Sequence, residues 1–483
     1  MKKLLSAALL LAVILTACGE AASAPVSAGG TAAAPDAAAE TAAETAEEAK
    51  AYIPDSLPDA DLGGYKFRIG TSEFGGKNLN EYVIFDELTG NPVNDELYNA
   101  KLYVENRFNV DISVIDYGTI EGTRDAVKKS VAAGDDEMDI QIGHDHHTGD
   151  LAKGGYLHNI RSIPHFDFDK PWWPKFAIDQ LTVCHRMYVC SSYISYCGLS
   201  YERILCVNKT LADSYGRAIP YDAVRDGKWT LDAMFGFIAD TAADLDGDGK
   251  MGETDQYGFV SGSQTDYCLQ EALDCSVYKK DENDVPTIEA DMDRLSKMVE
   301  KTRWLYKDSG LATENVDFGQ NIFKAGLSLL AYTQITNAYN DYRQSDVVYG
   351  FLPTPKLDEL QADYINCCTD TPWAIPLNAS HPEEIGYVVE ALSCYNYNNV
   401  LPAYFDVAVK TRLADSPDDA EMLQIIADTR TIGFAYFYSM SFNNIIGDLK
   451  NGKKELASYI EKGMKSATKN LDKLIAAFEG MDE

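Results

Sequence analysis

The chain has 483 residues, with 75 acidic against 42 basic side chains and a formal net charge of −33. So negative a protein is repelled by nucleic acid and by anionic lipid, which argues against both as partners. Once an N-terminal leader is set aside, about 420 residues remain. That is more than one hydrophobic core usually supports, so two domains are predicted.

The first residues have the pattern of a bacterial lipoprotein signal. Lys2 and Lys3 precede an apolar run, residues 4–15, that is too short to span a bilayer. The run ends in Leu-Thr-Ala-Cys-Gly, so removal of a signal peptide at 1–17 would leave Cys18 to carry lipid. We therefore expect a protein anchored by lipid on the extracellular face of the cell membrane. An ordinary secretory peptide with a chance cysteine is the alternative.

Residues 18–61 are rich in Ala, Glu, Thr and Pro and contain few large apolar side chains. Such a segment cannot bury enough surface to fold, and it is predicted to be a disordered tether.

Apart from Cys18, nine cysteines remain among the 10 in the chain, and an odd number cannot all pair. Most are interpreted as small buried apolar residues, and one disulfide is left open.

The next part of the chain alternates between strand and helix patterns. Apolar spacing predicts strand, helix, strand, helix and strand at 65–70, 94–108, 109–115, 124–133 and 138–142. This order is typical of an α/β lobe with a largely parallel sheet. Glu73 and Phe74 follow the first strand, at the sheet end where ligands of such folds bind.

A polar stretch follows the third strand. Residues 143–149 are interpreted as a loop before a short helix at 150–153, and they bring His144, Asp145 and His146 together. Ring nitrogens and a carboxylate at a strand end favour the wall of a ligand cleft. A plain surface turn and a metal site remain alternatives, the latter because the His-x-His-His pattern at 144–147 offers imidazole ligands.

Aromatic residues mark two further candidates. Trp172 and Trp173 lie between prolines, and at least one is expected to be exposed to the cleft or to the lobe surface. In the cleft, sugar rings would stack on it. The alternative is a loop that one of these tryptophans anchors on the lobe. Residues 186–200 alternate like a strand, and the first hinge is placed at 193–199 with Tyr193 and Tyr196.

The sharpest motif is the acidic loop 244–255. Asp244, Asp246 and Asp248 occupy positions 1, 3 and 5 of an EF-hand loop, and Gly249 occupies position 6. Lys250, Glu253 and Asp255 are the remaining candidates, with Asp at position 12 in place of Glu. A helix precedes the loop but a strand follows it, so one structural Ca²⁺ is predicted in a single EF-like loop. The alternative is a solvated acidic turn.

Several further stretches form a set: the Gly-His-Asp turn with Lys-Gly-Gly-Tyr-Leu-His-Asn-Ile, Trp-Thr at 229–230, Phe-Lys-Ala-Gly at 323–326, Tyr-Gly-Phe-Leu-Pro-Thr-Pro at 349–355 and Asp-Thr-Pro-Trp at 370–373. Thr230 is the expected N-cap of a helix, and 323–332 is interpreted as a helix end, a Gly turn and a buried strand. Together these stretches resemble extracellular solute-binding proteins of ABC importers, the maltose-binding class, and the resemblance runs from about residue 64 to 480. It implies that Tyr332 and Gln334, just after a buried strand, face a ligand, and that Asp370 and Trp373 lie where the chain returns to the first lobe.

The resemblance implies an α/β, two-lobe periplasmic-binding-protein-like (type II) fold with a hinge and an inter-lobe ligand cleft. Lobe one would be 62–195 plus 363–397, and lobe two 198–360 plus 400–480. The expected ligand-binding set is Glu73, Phe74, His144, Asp145, His146, Trp172, Trp173, Tyr193, Tyr196, Tyr332, Gln334, Asp370 and Trp373.

The implied function is capture of a small solute, and a sugar or oligosaccharide is the expected one. The protein is expected to be a monomer that delivers this solute to ABC permease subunits. A peptide or polyamine ligand stays open. The sequence contains neither a G-x-S-x-G nucleophile turn nor H-E-x-x-H, so no enzyme is expected. The alternative is a secreted, lipid-anchored carbohydrate-active hydrolase.

Overall fold

The computed structural model describes residues 51–262, 265–314, 316–405 and 416–481, without the side chains of 316–318. The predicted signal peptide, Cys18 and the tether up to residue 50 lie outside the described residues. Residues 53–61, predicted to belong to the tether, instead lie against the folded part. Arg107 donates to both oxygens of Asp55 at 2.6 and 2.9 Å, and Ile53 packs on the neighbouring core. The tether prediction is therefore wrong for this segment.

Two sheets organise the fold. Their strands are β1 (Tyr65–Thr71), β2 (Val110–Asp116), β3 (Ile140–Ile142), β4 (Arg203–Asn208), β5 (Tyr257–Ser261), β6 (Ala312–Glu314), β7 (Ser328–Gln334), β8 (Tyr349–Leu352) and β9 (Trp373–Ala374). Short strands also pair outside these sheets, at Glu73–Phe74 with Lys77–Asn78, Tyr278–Lys280 with Pro286–Ile288, and Asn366–Cys367 with Arg430–Thr431.

Helices cover both sheets. They are α1 (Pro92–Phe108), α2 (Gly122–Ala133), α3 (Asp145–Lys153), α4 (Lys175–Leu181), α5 (Cys197–Ser200), α6 (Lys209–Ser214), α7 (Tyr221–Arg225), α8 (Leu231–Ile238), α9 (Asp266–Ala272), α10 (Met292–Arg303), α11 (Val316–Lys324), α12 (Ile335–Asn340), α13 (Pro382–Tyr395), α14 (Pro417–Asp428), α15 (Phe434–Phe437), α16 (Ile445–Leu449) and α17 (Leu456–Glu479).

The first sheet has the order β9-β3-β1-β2. The pairs β1/β2 and β1/β3 are parallel, whereas β9 returns antiparallel to β3. The helix α1 ends at Asn109, whose φ of 52° lies in the left-handed region that Asn tolerates at a helix end. The predicted β-α-β-α-β order of this lobe is confirmed, with bounds that differ by one to two residues.

The second sheet is mixed, in the order β6-β5-β7-β4-β8. Its β6/β5 and β5/β7 pairs are parallel, and β7/β4 and β4/β8 are antiparallel. The predicted buried strand after the Gly turn is β7, and the predicted helix start at Thr230 is confirmed, since its hydroxyl accepts from the amide of Ala233 at 3.3 Å.

The loop predicted at 143–149 is wrong. The helix α3 already begins at Asp145, after His144 in an extended conformation. An acidic residue in the first turn suits the positive end of the helix dipole. Gly149 suggested a loop, but it lies inside the helix. A glycine stands there because a Cβ would collide with the carbonyl oxygen of Phe437 in α15. The glycine serves close packing of two helices.

The strand predicted across 186–200 is also wrong. This segment pairs with other residues only at single bridges, Cys190 with Trp373 and Val183 with Arg186, and it ends in the short helix α5. It connects the first sheet to β4 of the second.

All nine cysteines among the described residues are free, and eight of them are buried, as expected for small apolar residues. The disulfide left open does not form among them.

Three tryptophans lie in the core of the first lobe. Trp172, Trp173 and Trp373 are at most 2% exposed. The indole nitrogens of Trp172 and Trp173 donate to the two carboxylate oxygens of Glu390 at 3.0 and 2.9 Å, and the Trp373 indole donates to Ser192 at 3.0 Å. The prediction that these rings face a ligand is wrong, because one buried carboxylate lets both neighbouring indoles enter the same core.

Glu390 predicts a pH-dependent stability. Burial raises its pKa to about 7, against the opposing effect of the two indole donors. The folded state therefore holds the proton more tightly than the unfolded state. The resulting stabilisation is complete below the unfolded pKa, near 4.5, and is lost as the pH rises through 7.

We expect Glu390→Gln, which cannot ionise, to show a flatter dependence of unfolding free energy on pH. As the pH rises from about 4 to 8, the unfolding free energy of the variant relative to that of wild type should increase by on the order of 3 kcal/mol. Urea unfolding at several pH values measures this. Glu359→Gln, at an exposed site, is the control and should follow wild type. A Glu390→Gln curve parallel to wild type would refute the assignment.

Candidate functional site

A cleft of about 760 Å³ lies between the two sheets and takes its lining from both lobes. The first lobe contributes the hairpin residues Glu73, Phe74 and Lys77, together with His144 at the start of α3. The second lobe contributes Tyr267 of α9 and residues from α11 and α12. The full lining of polar and aromatic side chains is Glu73, Phe74, Lys77, Thr119, His144, Tyr201, Tyr267, Gln320, Gln334, Thr336, Asn337, Asn340, Asp341, Thr369 and Tyr436.

Two smaller cavities share lining residues with this cleft. One, of about 140 Å³, contains Arg203 and Tyr332 and shares Gln320, Gln334 and Asn337 with it. The other, of about 200 Å³, contains Tyr196 and Tyr404 and shares Lys77, Thr336 and Asn340. The three cavities therefore adjoin one another through shared lining residues.

Stacked aromatic rings form one wall of the cleft. The rings of Tyr267 and Tyr436 are parallel within 2° and 3.7 Å apart, and the Tyr267 hydroxyl lies 2.6 Å from that of Thr369. On the other lobe, Phe74 packs edge-on against Tyr201 at 4.7 Å. Flat apolar faces with polar tips suit a ligand that has both C–H faces and hydroxyl groups.

The polar part of the lining is mostly uncharged. Four amides, Gln320, Gln334, Asn337 and Asn340, accompany two carboxylates and one ammonium group, Lys77. Amides both donate and accept hydrogen bonds, so they can match hydroxyl groups in either role. This composition favours a neutral polar ligand over a strongly charged one.

The histidine cluster, which consists of His144, His146 and His147 with Asp145, lies at the wall of the cleft through His144. Asp145 is buried, and Nδ1 of His144 and of His146 lie 2.7 and 3.3 Å from its Oδ1. Burial disfavours the charged carboxylate, but the two histidines outweigh this and lower the pKa of Asp145 to about 2. Burial, with nearby His146 and Arg124, lowers the pKa of His147 to about 4.

The structure brings only some of the predicted ligand residues together. Glu73, Phe74, His144 and Gln334 line the main cleft, while Tyr332 and Tyr196 line the smaller cavities. Asp145 lies beneath His144, and the His146 ring packs edge-on against Tyr436 at 5.8 Å.

The other predicted residues lie elsewhere. Asp370 and Tyr193 line a separate cavity of about 20 Å³ with Arg430, and Asp370 accepts a hydrogen bond from Ser191. The assignment of these two residues to the ligand cleft is therefore wrong, as it is for the three core tryptophans. Asp370 instead lies between the chain segments that join the lobes.

Sequence reasoning missed Tyr201, Tyr267 and Tyr436. Tyr267 lies in α9, shortly after the carboxyl end of β5, and the rule that ligands bind beyond strand ends would have pointed to it. Tyr436 gives no such signal, because its place opposite Tyr267 depends on how distant segments pack.

The acidic loop brings three carboxylates together. Ligand atoms of Asp244, Asp246 and Asp255 lie within 4.8 Å of one another. Asp255 is fully buried and accepts from the amides of Leu245 and Gly252 at 2.8 and 2.6 Å. Asp248, Lys250 and Glu253 are exposed in the same loop and lie outside this trio. Hard oxygen ligands that converge in this way fit Ca²⁺.

Among the described residues, no helix has the length and apolar character needed to cross a membrane. No protein-family model matches the chain, and no curated protein matches it.

Several solved structures have the same fold. The ABC substrate-binding protein of Listeria monocytogenes, in complex with cycloalternan, is 12% identical with a TM-score of 0.53, over 85% of this chain and 99% of that one. A cyclo/maltodextrin-binding protein complexed with maltotetraose is 15% identical with a TM-score of 0.53, over 89% and 98%. UspC of Mycobacterium tuberculosis is 14% identical with a TM-score of 0.55, over 84% and 100%.

The chain therefore has the two-lobed α/β fold of periplasmic-type binding proteins. The fold expected from the resemblance to the maltose-binding class is confirmed, over nearly the whole length of these structures.

Proposed function

We propose that this protein is the sugar-binding component of an ABC importer, which captures a sugar or oligosaccharide between its lobes. The observation that carries the proposal is the cleft of about 760 Å³, which is lined by aromatic rings from both lobes and by amides from the second lobe. The cycloalternan and maltotetraose complexes of proteins with this fold support a carbohydrate ligand.

The chemistry of the lining supports the same ligand class. The C–H face of a sugar ring is apolar and can lie on the Tyr267–Tyr436 stack, while its hydroxyls bond to the amides of Gln320, Gln334 and Asn337. A ligand that touches both lobes binds the closed arrangement best and so shifts the population towards it. The closed, loaded protein would then deliver its ligand to the permease without catalysis.

We expect the protein to bind linear or cyclic maltooligosaccharides in isothermal titration calorimetry, and Tyr436→Ala to weaken binding by about 1–3 kcal/mol, the scale of one lost stacking contact. Tyr436→Phe keeps the ring and should retain most of the affinity. Tyr103→Ala, at an exposed tyrosine of α1, is the control.

Two outcomes would contradict this proposal. One is an unchanged affinity of Tyr436→Ala when Tyr103→Ala is also unchanged. The other is the appearance of shorter saccharides during incubation, which would favour the carbohydrate-active hydrolase.

The lipid anchor is a second part of the proposal and depends on Cys18 in the signal pattern. Replacement of the only thiol placed to receive diacylglycerol, Cys18→Ala, should move the protein from the membrane fraction to the medium or soluble fraction. Immunoblots of fractionated cells measure this. Cys184→Ala is the matched control and should stay with the membrane. A Cys18→Ala variant that also stays there would disprove the anchor.

We also propose that the loop 244–255 binds Ca²⁺ as a structural ion. Extracellular loops of this kind bind at about 10⁻⁴–10⁻³ M, so about 10 mM Ca²⁺ should stabilise the fold by roughly 1.4–2.7 kcal/mol through mass action. Chelation should therefore lower the Tm of wild type, whereas Asp246→Ala should be insensitive to chelator. Asp213→Ala, at an exposed carboxylate outside the loop, should respond like wild type. Equal wild-type melting curves with Ca²⁺ and with chelator would contradict the site.

A further inference from the structure

Two imidazoles and a carboxylate converge at the start of α3. His144, Asp145 and His146 each offer one ligand atom, and these three atoms lie within 4.8 Å of one another. The Oδ1 of Asp145 is at the centre, 2.7 Å from Nδ1 of His144 and 3.3 Å from Nδ1 of His146. The rings of the two histidines are 4.2 Å apart.

His144 supplies an independent observation. The residue is only 8% exposed, and its buried Nδ1 has no aligned hydrogen-bond partner, although it touches Asp145. A ring nitrogen 2.7 Å from a carboxylate oxygen is favourable only when a proton or a cation lies between the two atoms. A metal cation held by both atoms meets this requirement.

Helix capping explains only part of this arrangement. Asp145 stands in the first turn of α3, where a carboxylate is favoured, and its Oδ1 accepts from the amide of His146 at 2.6 Å. This accounts for the carboxylate but not for two imidazoles beside it. His147 is kept out of the group, because its Nδ1 contacts Arg124 at 3.0 Å.

The ligand types indicate the class of ion. Imidazole nitrogen suits Zn²⁺, Cu²⁺ and Ni²⁺, and a carboxylate joins imidazoles in many zinc sites. At zinc bond lengths of about 2.0–2.2 Å, tetrahedral ligands lie roughly 3.4 Å apart. The His146–Asp145 distance of 3.3 Å meets this, and the His144–Asp145 distance of 2.7 Å must open by several tenths of an ångström.

We propose that His144, Asp145 and His146 bind one divalent transition-metal ion of the zinc class at the wall of the ligand cleft. Three protein ligands leave a fourth position open, as in zinc sites that bind a further group. His144 also lines the main cavity, so the ion lies beside the place proposed for the sugar. The metal site does not depend on that sugar function, and each can fail without the other.

The test is metal titration of the full chain after treatment with chelator. We expect one Zn²⁺ to bind per chain in calorimetry, and Co²⁺ to give the visible absorption of a low-coordinate nitrogen and oxygen site. His146→Ala should weaken Zn²⁺ binding at least about a hundredfold, because removal of a direct ligand costs more than the 10–100-fold range seen for outer-sphere partners. Asp145→Asn should act in the same direction.

The matched control is His185→Ala, which removes an exposed imidazole that also lies near a carboxylate, Asp284, at 3.2 Å. It should bind Zn²⁺ like wild type. Thermal melting without metal confirms that His146→Ala folds. Failure of wild type to bind Zn²⁺, or equal binding by folded His146→Ala, would overturn the proposal, whereas saccharide titrations test the sugar site separately.

Discussion

The segment 366–374 is the constraint on which the rest of the structure depends. Its end, β9, pairs antiparallel with β3 in the first sheet. Its beginning pairs with Arg430–Thr431, and Cys368 forms a bridge with Glu202, directly before β4 of the second sheet. One short stretch therefore contacts both lobes and runs beside the other connection, residues 191–202. The two connections fix which surfaces of the lobes face each other.

Buried charges reinforce this crossing. Asp370 accepts from Ser191 of the neighbouring connection, and Glu202 lies 3.7 Å from the guanidinium of Arg430. Burial raises the pKa of Asp370, with Ser191 and Arg430 acting in the opposite direction. Gly198 is required at this point, because a Cβ would come within 2.6 Å of the Asp370 carboxylate. Charged groups buried in pairs are costly to separate, so the crossing resists local rearrangement.

Local patterns predicted the parts of the fold that depend on local physics. The alternation in 65–70 and the helical spacing before Phe108 found β1 and α1, and the hydroxyl of Thr230 marked the start of α8. The returning strand was also expected, from the Asp-Thr-Pro-Trp stretch. The first strand, α1 and the start of α8 follow from side-chain periodicity and capping, which a single segment shows by itself, whereas the returning strand was implied by the family resemblance.

The errors share one physical cause, which is dependence on a distant partner. The indoles of Trp172 and Trp173 could be placed in the core only by knowing Glu390, which is 217 residues beyond Trp173. Gly149 suggested a loop because its close neighbour, the carbonyl of Phe437, is far along the chain. The same limit applies to the candidate site. The strand-end rule predicted Glu73, Phe74 and His144, but the Tyr267–Tyr436 stack forms only when the distant segments α9 and α15 pack together.

A crystal structure of the protein grown with a maltooligosaccharide tests the central claim most directly. The account predicts a sugar ring on the Tyr267–Tyr436 stack, hydrogen bonds from side chains of both lobes, and lobes closed around the ligand. The account would be contradicted by a saccharide bound on an outer surface, or in contact with one lobe only, in a crystal whose cleft contains no saccharide.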